Sequence, residues 1–381
     1  MISTILQKYD DKLSLLSWRL VQKKPLFLAR AGFASFQDRW SKTKKMRAVM
    51  FHTHYVCNFS CMHCYEKNFE KTSKPPLTTE EKKQILRKCL DHGIIAIDFI
   101  GGETRMSKDF EELVQYCDPH KTYITLATNG YKYTEKQLQH YLDIGVDKLN
   151  ISIDSWYPEE HDKFRKQKGS HAAALRTIEL CKKIGMGVSV SIVVFKNYTK
   201  DPGFLKLVDW AVENKIRLNF KLAVALGEWD RNTGALVTEE DSKALEELHN
   251  RYPWLTRDIF FENGDPTCPA FRGYFSVTAY GDVLPCNAIH ISFGNLKTDS
   301  VESVVGKAHK TKLISTDYAG CHASENVKFI DEYLDKSKNL TDYPIRAESF
   351  FEELKGEDTP TQTRIPVEVR ESSAKTESAA R

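Results

Sequence analysis

Between Met46 and about Ala225, short β-branched or apolar runs alternate with longer stretches whose apolar positions recur at helical spacing. The runs read as strands over Arg47–Val56, Ile94–Ile100, Tyr123–Thr128, Lys148–Asp154, Gly187–Phe195 and Arg217–Val224. Between them, helices are expected over Thr79–Asp91, Lys108–Cys117, Glu135–Ile144, Ala172–Ile184 and Gly203–Asn214. Strands joined through helices build a parallel sheet, so the pattern predicts an α/β fold, a partial (β/α)6 TIM-like barrel. Past Ala225 the alternation stops. A helix near Glu239–Arg251 precedes an apolar run, Tyr274–Tyr280, a Gly281-Asp282 turn signal and Val283–Cys286, and these predict a small hairpin-and-helix module.

The chain thus divides into an N-terminal segment (1–45), a barrel (46–225), a C-terminal module (226–355) and a tail (356–381) too poor in large apolar groups to order itself. Its 381 residues, 41% hydrophobic and 28% charged, suit a globular protein. The formal net charge of +3 is unevenly spread, because residues 1–48 hold eleven Lys or Arg against Asp10, Asp11 and Asp38. That segment carries +8 and the remainder −5, which gives no reason to expect a nucleic-acid partner for the whole chain. No run reaches the roughly 18 apolar residues of a membrane span, and no cleavable leader is evident. A cytoplasmic protein is expected, with any membrane contact peripheral. Its nine cysteines are then reduced thiols or metal ligands.

Their spacing selects between these. Cys57-Asn-Phe-Ser-Cys61-Met-His-Cys64-Tyr65 follows the first strand, in the loop region where β/α folds gather ligands. Three thiolates can wrap a [4Fe-4S] cluster from one loop and leave one iron open to another ligand. The alternative is a structural zinc site with His52, His54 or His63 as fourth ligand, though no second ligand pair lies near. The C-x-x-x-C-x-x-C-aromatic pattern resembles the signature of the radical S-adenosylmethionine superfamily. That resemblance implies an open iron chelating the cofactor's methionine end, reductive cleavage to a 5′-deoxyadenosyl radical, and abstraction of a substrate hydrogen.

Further strand ends fit the same family. Gly101-Gly102-Glu103 resembles its Gly-Gly-Glu motif, implied to recognise the cofactor's amino group, with Thr104 where proline is frequent. Thr128 and Asn129, Ser152 and Asp154, and Asn197 after the fifth strand stand where the family surrounds the methionine and ribose. Read alone, each is an ordinary polar turn. Cys268, Cys286 within Gly-Asp-Val-Leu-Pro-Cys, and Cys321 resemble the family's C-terminal auxiliary-cluster module, the short form called twitch rather than the two-cluster SPASM. A second [4Fe-4S] cluster is implied. A fourth cysteine is absent from Cys321-His-Ala-Ser324, so Ser324 or an open iron is left for the last position. Cys89, Cys117 and Cys181 fall on apolar helix faces as small core residues.

Leu13, Leu16, Leu20 and Val21 with Arg19, Lys23 and Lys24 form a basic amphipathic pattern, suited either to packing on the barrel or to an anionic membrane or acidic partner. The resemblance implies a flavodoxin- or ferredoxin-type electron donor. The first specific expectation is an oxidoreductase dehydrogenating or rearranging a small organic molecule; radical modification of a peptide, protein or membrane lipid is the alternative. A metal-binding regulatory protein is the non-enzymatic one.

Overall fold

The computed structural model describes residues 22–40, 46–252, 254–257, 267–338, 340 and 342–356. A helix, α1 (Pro25–Trp40), precedes the barrel strands β1 (Ala48–His52), β2 (Ala96–Ile100), β3 (Tyr123–Thr128), β4 (Lys148–Ser152), β5 (Gly187–Val194) and β6 (Arg217–Leu222). The crossovers are α2 (Thr79–His92), α3 (Phe110–Tyr116), α4 (Glu135–Ile144), the pair α5 (Pro158–Arg165) and α6 (Ser170–Ile184), and α7 (Pro202–Glu213). Capping boxes at Thr78 with Glu81 and Thr134 with Gln137 start α2 and α4 by satisfying their first amides. One helix was expected between β4 and β5. The second, α5, has Pro158 in its first turn followed by Glu159 and Glu160, a start signal in itself.

The sheet is open and larger than six strands. Its order is β7-β6-β5-β4-β3-β2-β1-β8-β9, where β7 (Leu255–Arg257) extends one edge and β8 (Tyr274–Val277) and β9 (Val283–Leu284) the other. The expected hairpin exists, with β9 antiparallel to β8 and Gly281 at φ +89° in the turn. It is not detached: β8 pairs in parallel with β1 from Ala48↔Tyr274, so C-terminal residues complete the sheet beside the cysteine loop. Along the strands, Phe99, Leu126, Leu149 and Ile192 pack into the core, while Asp98, Asn150 and Ser191 line the interior cavity. Cys89, Cys117 and Cys181 are fully buried, as expected of core residues.

The ladder of β1 stops at His52 rather than Val56. Beyond it the chain stays extended but pairs with the Gly-Gly-Glu segment, with Thr53 N–H donating to Ile100 O (3.0 Å), Gly102 N–H to His54 O (2.9 Å) and Glu103 N–H to Val56 O (3.0 Å).

The amphipathic pattern from Leu13 to Val21 and all but the first residue of the tail lie outside the described residues. Lys24, the last basic residue of that pattern, is turned into the protein. It is buried, and its Nζ donates to Thr122 O (2.8 Å), Gly145 O (3.0 Å) and Asp147 Oδ2 (2.5 Å), pinning the start of α1 under β3 and β4. Removing the ammonium takes the counter-charge at 2.5 Å from the largely covered Asp147, so Lys24→Met should cost about 3 kcal/mol in chemical denaturation. A loss below about 1 kcal/mol would mean that α1 docks by apolar contact alone.

Candidate functional site

The cysteine loop is held by backbone on two sides. A Cβ on Gly101 would lie 2.2 Å from His54 O, and one on Gly102 2.1 Å from Val56 O. Only glycines therefore allow the loop's entry strand to close on β2. The close approach these glycines permit is to the chain itself. On the far side Gly227, at φ +63°, leaves room for Cys64 O, which accepts from Glu228 N–H at 3.1 Å.

So clamped, Cys57, Cys61 and Cys64 share one cavity of about 510 Å³ at the C-terminal end of the strands. Burial pushes the Cys57 thiol up to about 11 and the Cys64 thiol to about 12, and Cys61 is also raised. Such thiols stay protonated until a metal centre supplies positive charge. One cation is already present: Arg165 Nη1 lies 3.9 Å from Cys61 Sγ.

Gly101, Gly102, Thr128, Asn129, Ser152 and Tyr65 line the cavity beside the triplet. Asn129 Nδ2 donates to Asn58 Oδ1 at 2.8 Å, tying the third strand's loop to the cysteine loop. Tyr65 Oη accepts from Asn287 Nδ2 at 2.6 Å, which links that loop to the C-terminal region. The two carboxylates stand behind this wall. Glu103 is fully buried and accepts from Thr128 Oγ1 (2.7 Å) and Asn129 N–H (2.9 Å); burial raises its pKa against these bonds. Asp154 accepts from Arg165 Nε (2.5 Å) and Val193 N–H (3.1 Å). Burial pushes its carboxyl up, but the Arg165 guanidinium outweighs that and holds it near 2.

Asn197 is not brought to the cavity. Its backbone is left-handed, and its N–H caps onto Asp241 Oδ2 at 2.9 Å, so the residue shapes the turn after β5. Of the three candidate zinc-ligating histidines only His63 lines the cavity, stacked on Phe164 at 4.5 Å, with burial and Arg165 lowering its pKa to about 3. Among the described residues no three His, Cys, Asp or Glu side chains are gathered to hold one ion.

The same cavity is also lined by Cys268, Cys286 and Cys321. Burial and the neighbouring Cys268 push Cys321 up to about 12. His322 lines the cavity there, whereas Ser324 lies off that wall, its Oγ buried and without a hydrogen-bond partner. Asp282 is buried in its turn, where both carboxylate oxygens accept from Lys74 Nζ at 2.9 Å.

Sequence reasoning missed Arg165, Glu66, Arg257 and His322 on the cavity wall. Arg165 had a signal: with His161 it forms an i, i+4 pair on a helix that begins after the Ser152-Ile-Asp154 strand end.

An open, mainly parallel sheet whose strand ends surround one cavity lined by six cysteines is a fold of the β/α-barrel class with soft metal-binding side chains at its mouth. The chain carries a radical SAM domain followed by a SPASM- or twitch-type domain: residues 52–208 match the model described as Radical SAM superfamily, and residues 268–323 match the one described as iron-sulfur cluster-binding domain, SPASM. These domains imply a [4Fe-4S] cluster with S-adenosylmethionine and auxiliary iron–sulfur binding in the C-terminal module. Relatives include Fe-coproporphyrin III synthase of Methanosarcina barkeri, 29% identical over 55% of this chain and 52% of its own. This chain therefore spans about half the synthase's length. PqqA peptide cyclase of Rhizobium meliloti is 22% identical over 68% of this chain and 72% of its own. The sporulation killing factor maturation protein SkfB of Bacillus subtilis is 28% identical over 68% and 64%. Among solved structures, Streptococcus suis SuiB bound to its precursor peptide SuiA shares the fold, with TM-score 0.56 at 15% identity over 85% of this chain and 80% of that one.

The buried Asp154–Arg165 pair gives a direct test. Arg165→Met leaves the carboxylate unpaired and should cost about 3–5 kcal/mol, much of it recovered in Asp154→Asn/Arg165→Met. Because the native carboxyl is depressed from 3.8 to about 2, its stabilisation is present above pH 3.8 and is lost as pH falls toward 2. The Asp154→Asn chain should lack that acid-side slope in urea titrations. Equal slopes in the two proteins would show that the pair does not titrate with folding.

Proposed function

We propose that this chain is a radical S-adenosylmethionine enzyme that modifies a peptide or protein substrate. The observation that carries the reading is the single cavity lined both by Cys57, Cys61 and Cys64 and by Cys268, Cys286 and Cys321. The small-molecule dehydrogenation expected first has less support. The relatives named for peptide maturation match 68% of this chain, while the porphyrin enzyme matches 55%.

The residues present fit the implied groups. Three soft thiol donors on one clamped loop suit a [4Fe-4S] cluster with an open iron. When bound, the cluster and S-adenosylmethionine supply reductive cleavage of the cofactor and removal of a hydrogen atom from the substrate. The protein's contribution is position and electrostatics. Gly101 and Gly102 offer backbone groups on the cavity wall, Thr128, Asn129 and Ser152 offer hydrogen-bonding side chains, and Tyr65 closes the side toward Asn287. Glu103 acts through Thr128 and Asn129, and Asp154 through Arg165. Arg165 places a fixed positive charge beside Cys61 and lowers the cost of its thiolate. Cys268, Cys286 and Cys321 are the ligands of the auxiliary cluster in this reading, and residues 226–355 form the module that carries them. A flavodoxin- or ferredoxin-type protein serves as reductant.

Anaerobically reconstituted and reduced protein should convert S-adenosylmethionine to methionine and 5′-deoxyadenosine. The Cys57→Ala/Cys61→Ala/Cys64→Ala chain should not, while retaining about four of roughly eight irons. Substrate class is read by coproducing the chain with short peptides encoded beside its gene and following their masses. A mass change that requires the triplet supports the proposal. Unchanged peptides together with triplet-dependent conversion of a small metabolite would overturn it.

A further inference from the structure

Helix α1 is amphipathic in the reverse of the usual sense. Its polar contacts face the protein: Arg30 Nη1 donates to Lys121 O (3.0 Å), and Gln37 Oε1 accepts from Arg47 Nη2 (3.0 Å). Phe27 stacks on Tyr123 at 5.6 Å on the same side, and Ala34 is buried there. Arg30, held in this way, is the only charged residue from Pro25 to Gln37. The neighbouring face carries Leu26, Phe33, Phe36 and Trp40, which are 54%, 62%, 61% and 75% exposed. Four of the nine exposed large hydrophobic residues among the described ones thus fall in one stripe of one helix. A soluble face does not concentrate apolar exposure in this way without a partner.

The surrounding charge says which partner. Lys8, Lys12, Arg19 and Lys23 precede the stripe in sequence, Lys42, Lys44 and Lys45 follow it, and residues 1–48 carry +8 against −5 for the rest. A second copy would bring the same positive charge against this one. An anionic bilayer complements it, and aromatic side chains on an otherwise apolar helix suit the headgroup boundary. We infer that α1 lays Leu26, Phe33, Phe36 and Trp40 onto an anionic membrane surface.

The fold orients the consequence. Every contact that fixes α1 lies at the N-terminal ends of the strands: Lys24 reaches Thr122 and Gly145 before β3 and β4, and Arg30 reaches Lys121 before β3. The cavity opens at the opposite, C-terminal ends. A membrane held by α1 leaves the catalytic mouth turned toward water, where a soluble peptide and an electron donor reach it. This inference does not depend on the substrate class proposed above, and it disfavours a bilayer lipid as substrate.

The test is sedimentation of the full chain with vesicles. At low salt the protein should pellet with phosphatidylcholine–phosphatidylglycerol vesicles and stay in the supernatant with phosphatidylcholine alone. High salt should release it as the charge is screened. Phe33→Ser/Phe36→Ser/Trp40→Ser should abolish pelleting while leaving far-ultraviolet circular dichroism and the thermal midpoint unchanged, since these side chains are exposed. Cleavage of S-adenosylmethionine should be the same on and off vesicles. Wild-type protein that ignores anionic vesicles would overturn the inference. So would a triple variant that still pellets, or one that only converts a dimer to a monomer in light scattering.

Discussion

The site depends on one close approach of backbone to backbone. Residues 53–56 leave the sheet still extended and zip onto Gly101–Glu103, a contact that any Cβ at the two glycines would block at about 2 Å. That zipper fixes where the cysteine loop starts. Gly227 fixes where it ends, and Asn129 fixes its middle through Asn58. The loop has little choice of position, so three thiols on flexible sequence become three thiols on one cavity wall. Preorganisation of this kind allows a single loop to wrap a cluster without paying ordering entropy at the time of binding.

Behind the wall, buried charge maintains the arrangement. Glu103 and Asp154 do not face the cavity; each uses both oxygens to hold a neighbour that does. Arg165 serves both layers, since it neutralises Asp154 and brings positive charge to Cys61 in a region where burial keeps thiols protonated. The C-terminal region enters the same construction through sheet pairing. By placing β8 against β1, it brings Cys286 and Asn287 to the rim beside Tyr65, so both cysteine sets look into one space.

Much of this was legible in the chain. Short β-branched or apolar runs alternating with stretches at helical spacing announced the parallel sheet, because strands joined through helices run the same way. The triplet spacing, the double glycine and the polar strand ends marked residues that line the cavity, since close-set thiols and glycine freedom are local properties. Cys89, Cys117 and Cys181 were separable as core residues by helical phase alone. What was decided only by tertiary structure is everything that needs two distant segments to meet. Lys24, read as part of a basic amphipathic pattern, is buried because Asp147 is 123 residues away in sequence and adjacent in space. Asn197 followed its strand like the other candidates, yet Asp241 turns it from the cavity. Glu103 and Asp154 stand at the expected strand ends, but their partners hold them one layer behind the cavity wall. The C-terminal hairpin looked like a separate unit until strand pairing joined it to β1. Local pattern reports propensity and phase; which side chain reaches the cavity follows from long-range packing, which no window along the chain contains.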